Sequence, residues 1–284
     1  MTTSPVPSLP LSGDVEIPQV GLGVFQVPDD GTQANVEQAL ELGYRHVDTA
    51  AGYYNEAGVG AALRASGLRR EDVFVTTKLR NGDQGYEQAL RAFDDSRRAL
   101  GVDQVDLYLI HWPVPAKDLY VETWRAFEKL LAEGAVRAIG VSNFLVEHLD
   151  RLVSETDVVP AVNQVEVHPT FQQSAVQQRC HELGVAVEAY SPLGRGADLD
   201  APAVVAAATE LGVTPAQVVL RWAVQQGRIV IPKSLSAARQ ATNLDVFSFE
   251  LSADQVASID ALEAGVEGRT GADPATASFT QFRA

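Results

Sequence analysis

Two hydrophobic patterns take turns along the chain: short apolar runs, and longer stretches in which apolar residues recur with helical spacing. Apolar runs of four to eight residues between turn-forming residues are typical of buried strands. The chain contains eight such runs with a helical stretch in each gap, and they begin near Val20, Arg45, Val73, Val105, Val136, Ala161, Val185 and Ile229. Eight strand–helix units predict an α/β fold, a single (β/α)8 TIM barrel.

The N-terminal segment and the absence of linkers complete the predicted architecture. Residues 9–19 alternate around the turn-forming residues 12–14, which predicts a β-hairpin before the barrel. A doubly wound parallel sheet is the alternative, but residues 21–23 have no third glycine opening a helix, as a dinucleotide fingerprint requires. No composition shift divides the chain, so we predict that residues 1–284 form one domain.

Charge and cysteine content narrow the classes of partner. The formal net charge of −15 argues against nucleic-acid and anionic-membrane partners, because both require basic surface. Cys180 is the only cysteine, which excludes an intramolecular disulfide and fits a reducing compartment. No run approaches the ~18 apolar residues of a membrane span, and the N-terminus has no basic or apolar leader pattern. We therefore expect a soluble cytoplasmic protein.

Polar residues stand where nearly every predicted strand ends. His111 is the clearest case, because it follows the apolar run 105–110 and precedes Trp112 and a proline. The other strand-end residues are Asp48, Lys78, Ser142, Asn143, Gln164, Tyr190, Ser191, Lys233 and Ser234. The carboxyl ends of barrel strands meet at one mouth, so we expect these side chains to surround a ligand.

A metal-dependent hydrolase is one interpretation of this ring of polar residues. Its ligands would be Asp48, His111, Glu166 and His168. The chain has no His-x-His on the first strand and no HExxH motif, and a lysine and a tyrosine stand where ligands should converge. We therefore expect no metal.

Carbonyl reduction is the second interpretation. A carbonyl that accepts hydride develops negative charge on oxygen, so it requires a proton donor and an electrostatic stabiliser. Tyr53 follows Asp48 closely enough to act as the acid, and the ammonium of Lys78 would lower the pKa of a nearby phenol. Asp48 would hold Lys78, while a neutral His111 would donate an N–H to the substrate oxygen.

Four motifs carry a resemblance to a known family. They are GYRHVDTA at 43–50, DLYLIHWP at 106–113, GVSNF at 140–144 and IPKS at 231–234. Together they resemble the aldo-keto reductases over essentially the whole chain, in order. Residues 190–194 and 243–247 look most like the bacterial branch that contains 2,5-diketo-D-gluconate reductases.

The resemblance implies the catalytic tetrad Asp48, Tyr53, Lys78 and His111, with Tyr53 as the acid, and NADPH as the cofactor. By motif position, the cofactor contacts are Ser142, Asn143 and Gln164 for the carboxamide, Tyr190 for nicotinamide stacking, Ser191 and Leu193 for the pyrophosphate, Lys233, Ser234 and Arg239 for the 2′-phosphate, and Asn243 for the adenine. Lys233 and Ser234 opening a helix would suit an anion on physical grounds as well.

The substrate pocket is the part of the chain that the sequence describes least. We expect Phe25, Tyr54 and Trp112 to line it, and the weakly patterned tail 265–284 to fold over it. Arg80 would favour anionic or polyol substrates if it faces the pocket. The predicted function is NADPH-dependent reduction of aldehydes and ketones, including dicarbonyls and keto-sugars, by a monomer. The alternative is a cofactor-binding redox sensor with little turnover, against which the intact tetrad argues.

Overall fold

An antiparallel hairpin begins the part of the chain that the computed structural model describes, residues 6–280. It consists of β1 (Ser8–Pro10) and β2 (Glu16–Pro18), with Leu9 opposite Ile17. Ile17 is fully buried in a cluster with Phe74 and Leu107, residues of two barrel strands. The predicted hairpin therefore exists. Its apolar face closes the end of the barrel that lies opposite the carboxyl ends of the strands.

Eight parallel strands form the barrel. They are β3 (Leu22–Gly23), β4 (His46–Asp48), β5 (Phe74–Leu79), β6 (Val105–Ile110), β7 (Val136–Ser142), β8 (Val162–Glu166), β9 (Ala186–Tyr190) and β10 (Ile229–Val230). Each strand pairs with the next one in chain order. The first and last are joined by a parallel bridge between Val20 and Val230, where Gly21 N donates to Val230 O at 2.9 Å. The prediction of a (β/α)8 barrel is confirmed.

Helices occupy the gaps between the strands and continue after the last one. They are α1 (Asp29–Leu42), α2 (Glu56–Ala65), α3 (Tyr86–Leu100), α4 (Tyr120–Ala132), α5 (Val146–Glu155), α6 (Ser174–Leu183), α7 (Pro202–Leu211), α8 (Pro215–Gln225), α9 (Ala237–Leu244) and α10 (Ala253–Asp260). The periodic pattern places the start of α1 at Thr32, three residues late. Its first turn carries Asp29 and Asp30, which favour a helix N-terminus but contribute no apolar periodicity.

A helix that spans a membrane needs about 20 residues, and the longest of the helices within residues 6–280, α3, has 15. None of them alone is both long enough and apolar enough to cross a bilayer. Helices α7 and α8 reach that length only as a pair, across a bend of 97°.

The barrel interior is polar at the level of the strand ends. Asp48 lies on β4 and Gln164 on β8, two strands that are not neighbours, yet their side chains are hydrogen-bonded. Such a contact is possible only across the inside of the barrel. Further towards the hairpin the interior is filled by apolar residues such as Leu109 and Val162. The polar layer therefore rests on an apolar one, which keeps water away from its lower side.

The C-terminal segment crosses the mouth of the barrel, as the sequence predicts. After a 3-10 turn over Gly265–Gly268, the backbone N–H groups of Thr270 and Gly271 donate to Glu166 at the end of β8. Further on, Asn81 Nδ2 donates to Phe279 O at 2.9 Å. The tail is thus fastened at two places on the rim. Residues 281–284 of the predicted tail lie outside the described residues.

Candidate active site

Lys78 brings three of the predicted site residues together. Its Nζ donates to Asp48 Oδ1 at 2.6 Å and lies 3.4 Å from the Tyr53 hydroxyl oxygen. A third bond runs from Nζ to the carbonyl of Thr49 at 3.0 Å. Lys78 is fully buried, and a buried ammonium requires such partners. Its three donors are therefore directed towards one carboxylate, one carbonyl and the phenol.

The loop that carries Tyr53 is held by a buried asparagine. The chain leaves β4 at Asp48 and reaches Tyr53 through a short 3-10 turn, Ala51–Tyr53. Asn55 accepts a hydrogen bond from Thr49 Oγ1 at 2.8 Å and donates to Val24 O at 3.0 Å. Because Asn55 links the turn to the first barrel strand, the distance between Tyr53 and Lys78 is fixed by the fold.

The pKa of Tyr53 moves in the direction opposite to that expected from Lys78 alone. Burial raises the pKa of the phenol well above its usual value, and the negative charges of Asp48 and Glu188 raise it further. The single ammonium does not outweigh these effects. In this structure Tyr53 is therefore a neutral phenol with its proton in place.

His111 lies against Tyr53 with its ring in the neutral form. The two rings are T-shaped, with centroids 5.5 Å apart. Burial lowers the pKa of His111 well below its usual value, and the Lys78 ammonium lowers it further. A neutral imidazole keeps one N–H donor, in agreement with the role expected from the sequence.

Asn143 connects the ends of three strands. Its backbone adopts a left-handed conformation, with φ of 63°, which asparagine tolerates better than most residues. Its Nδ2 donates to His111 O at 3.0 Å, and its Oδ1 accepts from the Tyr190 hydroxyl at 2.8 Å. Ser142 Oγ donates to Gln164 O at 2.8 Å beside it. These residues form one hydrogen-bonded shelf of amide and hydroxyl groups next to His111.

Gln164 lies next to this shelf, and its side-chain amide reaches into the barrel interior. Its Nε2 donates to Asp48 Oδ2 and to Glu188 Oε2, both at 2.8 Å. Nε2 is thereby committed to two carboxyl groups. The amide oxygen is therefore the atom with which Gln164 could accept a bond from a carboxamide.

The predicted phosphate site lies before α9 rather than in its first turn. Lys233 and Ser234 precede the helix, which begins at Ala237 with Ser236 as its N-cap, so the expectation that they open it is wrong by three residues. Ser234 Oγ instead accepts from the backbone N–H of Ser236 at 3.1 Å. The cap displaces the helix start because serine satisfies the free N–H groups of the first turn.

Two cations beside this helix have no acidic partner. Lys233 and Arg239 are exposed, and neither forms an ion pair within residues 6–280. Two exposed cations beside a helix N-terminus suit a phosphate group. Asn243 is buried on the same helix. The residues present therefore fit the adenosine 2′-phosphate end of NADPH.

Comparison with known proteins decides the family. A family model described as the Aldo/keto reductase family matches residues 19–264. The chain belongs to this family. An aldo-keto reductase of Mycolicibacterium smegmatis is 52% identical over 96% of this chain and 99% of its own length. The glyoxal reductase of Bacillus subtilis is 46% identical over 96% and 98%, respectively.

A solved relative carries the cofactor. The crystal structure of a Bombyx mori aldo-keto reductase in complex with NADP superposes with a TM-score of 0.86 at 37% identity, and the match covers 92% of this chain and 94% of that one. With the reductases above, this similarity identifies the chain as an NADP-dependent oxidoreductase.

Aromatic residues line the open side of the cluster that contains Tyr53, Lys78 and His111 in this aldo-keto reductase. Phe25 lies 5.0 Å from the Tyr53 ring, and Trp112 packs edge-on against Phe279 of the tail at 5.1 Å. Tyr54 is 54% exposed, with φ of 58°, so its ring points away from the core. Arg80 donates to Asp83 Oδ2 at 2.7 Å and contacts the Tyr54 side chain. The guanidinium therefore lies at the outer edge of the pocket, beside a carboxylate that balances its charge.

The ligands of the metal-hydrolase alternative are not brought together. Asp48 is paired with Lys78, whereas Glu166 and His168 belong to a separate cluster on the rim with Asp198. Within residues 6–280 no group of three or more His, Cys, Asp or Glu side chains is arranged to hold a metal ion.

Three buried polar residues escaped the sequence analysis. Asn55 fixes the Tyr53 loop, and Gln240 ties α9 to α1 by donating to Asn35 Oδ1 at 2.9 Å. Glu188 lies within β9, two residues before Tyr190, and its side chain is 0% exposed. A charged residue inside an otherwise apolar strand was the available signal for Glu188, since it shares the inward face with Tyr190.

Proposed function

We propose that this enzyme reduces aldehydes and ketones to alcohols with Tyr53 as general acid. The observation that carries the proposal is the position of Lys78 Nζ, which lies between Asp48 Oδ1 and the Tyr53 hydroxyl inside a buried cluster. A phenol is a weak acid, and donation of its proton becomes easier when an ammonium stabilises the phenolate that forms. Asp48 holds the Lys78 side chain in place through a bond of 2.6 Å.

The remaining site residues orient the substrate and protect the proton transfer. Bound NADPH supplies the hydride. The Tyr53 O–H gives its proton to the carbonyl oxygen, and the N–H of neutral His111 donates to the same oxygen and shares its developing charge. The raised pKa of Tyr53 keeps the phenol protonated before the reaction, which suits the reductive direction.

Cofactor contacts follow the strand ends. We place the carboxamide on Ser142, Asn143 and the Oε1 of Gln164, with Tyr190 against the nicotinamide ring. Ser191, whose φ of 46° turns its backbone sharply, and Leu193 lie where the pyrophosphate would pass. Lys233, Ser234 and Arg239 would contact the 2′-phosphate, and Asn243 the adenine.

Small dicarbonyls and keto-sugars are the substrates that we propose. The Bacillus subtilis relative is named glyoxal reductase, which supports a small dicarbonyl. The resemblance to the 2,5-diketo-D-gluconate reductase branch supports keto-sugars. Phe25, Tyr54 and Trp112 would form the walls, with the tail as the fourth side. A substrate panel scored by kcat/KM would rank these classes.

We further propose that residues 1–284 act as one domain and as a cytoplasmic monomer. The only cysteine, Cys180, is buried, which fits a reducing compartment. Light scattering at several concentrations would measure the mass, and cell fractionation would locate the protein.

The Tyr53→Phe variant tests the proposed mechanism. It removes the donated proton and leaves the ring, so kcat for methylglyoxal reduction should fall by about 10²–10⁴, the usual contribution of a general acid. The measurement is NADPH consumption at saturating substrate. Tyr86→Phe, at the start of α3, is the matched control and should keep the wild-type rate. Turnover by Tyr53→Phe at the rate of the control would show that another group supplies the proton.

A further inference from the structure

A second carboxylate lies beneath the tetrad and is connected to it by one amide. Gln164 and Glu188 are directly opposite each other on β8 and β9. The Nε2 group of Gln164 donates one hydrogen bond to Asp48 and one to Glu188, each of 2.8 Å. Any change in the charge of Glu188 is therefore transmitted to the group that holds Lys78.

The charges of this cluster do not balance if both carboxylates are ionised. The titratable groups around Glu188 are His46 and Asp48 on β4, Lys78 on β5 and Tyr53 beyond them. Lys78 is the one cation among them, since burial lowers the pKa of His46 to about 3. Burial raises the pKa of Glu188 to about 8, and the charge of Asp48 raises it as well.

The contact between His46 and Glu188 is a geometric observation that favours a proton on Glu188. His46 Nδ1 lies 3.3 Å from the carbonyl oxygen of Pro18, which only accepts, so Nδ1 carries the imidazole hydrogen. Nε2 is then an acceptor, with Thr76 Oγ1 at 3.3 Å and Glu188 Oε1 at 3.5 Å from it. Two lone pairs repel each other at that distance, whereas a protonated carboxyl would donate to the nitrogen. The protonated form of Glu188 is therefore the one that this geometry accommodates.

We propose that Glu188 is a positioning residue for proton transfer: protonated, it leaves Lys78 free to stabilise the Tyr53 phenolate, and ionised, it weakens Tyr53 as an acid. The proposal rests on the role of Tyr53 given above. The negative charge of an ionised Glu188 raises the pKa of Tyr53, so proton donation becomes harder once Glu188 has lost its proton. Carbonyl reduction should therefore slow as Glu188 titrates.

The pH profile of hydride transfer tests this proposal. Single-turnover rates should be measured between pH 6 and pH 10 by the absorbance of NADPH, so that product release does not mask the step. For the wild type we expect a fall of up to about tenfold from pH 7 to pH 9, with its midpoint near pH 8. In Glu188→Gln this inflection should disappear, while the rate at pH 6.5 stays within about threefold of the wild type.

Glutamine is the appropriate replacement because it has the shape of the protonated carboxyl. Its oxygen can accept from Gln164, and its NH₂ can donate to His46 Nε2. Glu188→Asp keeps a titratable group and should keep an inflection, so it separates the charge of the residue from its shape. Glu166→Gln is the matched control, since it removes a buried carboxylate from the neighbouring strand and should leave the inflection unchanged.

The outcomes distinguish this inference from the proposed function. An unchanged inflection in Glu188→Gln, together with an inactive Tyr53→Phe, would overturn the role of Glu188 alone. An active Tyr53→Phe would overturn the proposed mechanism first. A loss of the inflection in both Glu188→Gln and Glu188→Asp would show that the side chain acts by its shape, which also contradicts the proposal.

Discussion

Two buried glutamates of neighbouring strands, Glu166 on β8 and Glu188 on β9, differ in the direction of their pKa shifts. Their exposed fractions are 2% and 0%. Burial raises the pKa of both, yet the pKa of Glu166 ends below its usual value because hydrogen bonds from His168 and Thr270 outweigh burial. Glu188 receives one hydrogen bond, from Gln164, and its pKa rises to about 8. The number of donors, rather than burial, decides which form is stable.

The hydrogen-bond donors of the two glutamates come from different parts of the molecule. Those of Glu166 are the backbone N–H groups of Thr270 and Gly271, at 2.7 and 2.9 Å, the Thr270 hydroxyl, and an imidazole that Asp198 helps to protonate. The C-terminal tail therefore stabilises the charge of Glu166 and is anchored by it. Glu188 lies inside the barrel, where strand backbones are already paired and no N–H group remains to be donated. The rim cluster of Glu166, His168 and Asp198 accordingly anchors the tail. The interior cluster is suited to proton transfer; it consists of Asp48, Lys78, Gln164 and Glu188.

The largest effect should follow from removing the cation of the interior cluster. Lys78→Met leaves the Asp48 carboxylate and the Tyr53 phenol without an ammonium, so kcat should fall by about 10²–10⁴. Steady-state NADPH consumption gives kcat, and circular dichroism verifies the fold. Lys129→Met, which breaks an exposed pair with Glu133, is the control and should keep the wild-type kcat. A kcat for Lys78→Met close to that of the control would contradict the assignment of Lys78 to the reacting centre.

Glu→Gln replacements at the two positions should change stability at pH 8 in opposite directions. The folded-state pKa of Glu188 is raised, so its stability contribution is complete below the unfolded value near 4.5 and is lost as pH rises towards 8. Glu188→Gln removes that loss and should raise the free energy of unfolding at pH 8 by about 2–4 kcal/mol. Glu166 has a lowered pKa, so its contribution is present above 4.5 and is lost in acid. Glu166→Gln should therefore lower the free energy at pH 8 by about 1–3 kcal/mol.

Urea unfolding at pH 8 and pH 4.5 measures both differences. Both differences in unfolding free energy should be smaller at pH 4.5, because the two glutamates take up protons in the unfolded chain near that pH. The comparison of the two clusters fails if both variants shift the unfolding midpoint in the same direction at pH 8. Parallel kinetics verify that Glu166→Gln retains turnover, since a folded tail is expected to affect substrate binding more than hydride transfer.

The same contrast explains what the sequence predicted and what it did not. The strands, the hairpin and the polar strand ends such as His111 follow from local patterns, because burial on both faces leaves a continuous apolar run with a visible end. The raised pKa of Tyr53 did not follow, because it depends on burial within the assembled barrel, then on the charge of Asp48 and on that of Glu188, which is 135 residues away along the chain. The bond between Thr270 and Glu166 likewise spans 104 residues. Side-chain charge states depend on such distant partners, which no local period encodes.

The smallest of the expected effects concerns the imidazole of the rim cluster. Although burial opposes its charge, hydrogen bonds from His168 to Asp198 and Glu166 raise its pKa to about 9. A raised histidine pKa contributes stability that is complete below the unfolded value near 6.5 and is lost as pH rises through about 9. We therefore expect the wild type to lose about 1–2 kcal/mol of unfolding free energy, relative to His168→Gln, between pH 7 and pH 10.

Urea unfolding of His168→Gln across that range, with His181→Gln as control, measures the difference. His181 is exposed on α6 and makes no ion pair within residues 6–280, so its replacement should leave the slope of stability against pH unchanged. Equal slopes for all three proteins would mean that His168 is neutral. In that case Glu166 would owe its lowered pKa to the hydroxyl and backbone N–H of Thr270 and the backbone N–H of Gly271, and the rim cluster would depend on the tail even more strongly than the comparison with Glu188 implies.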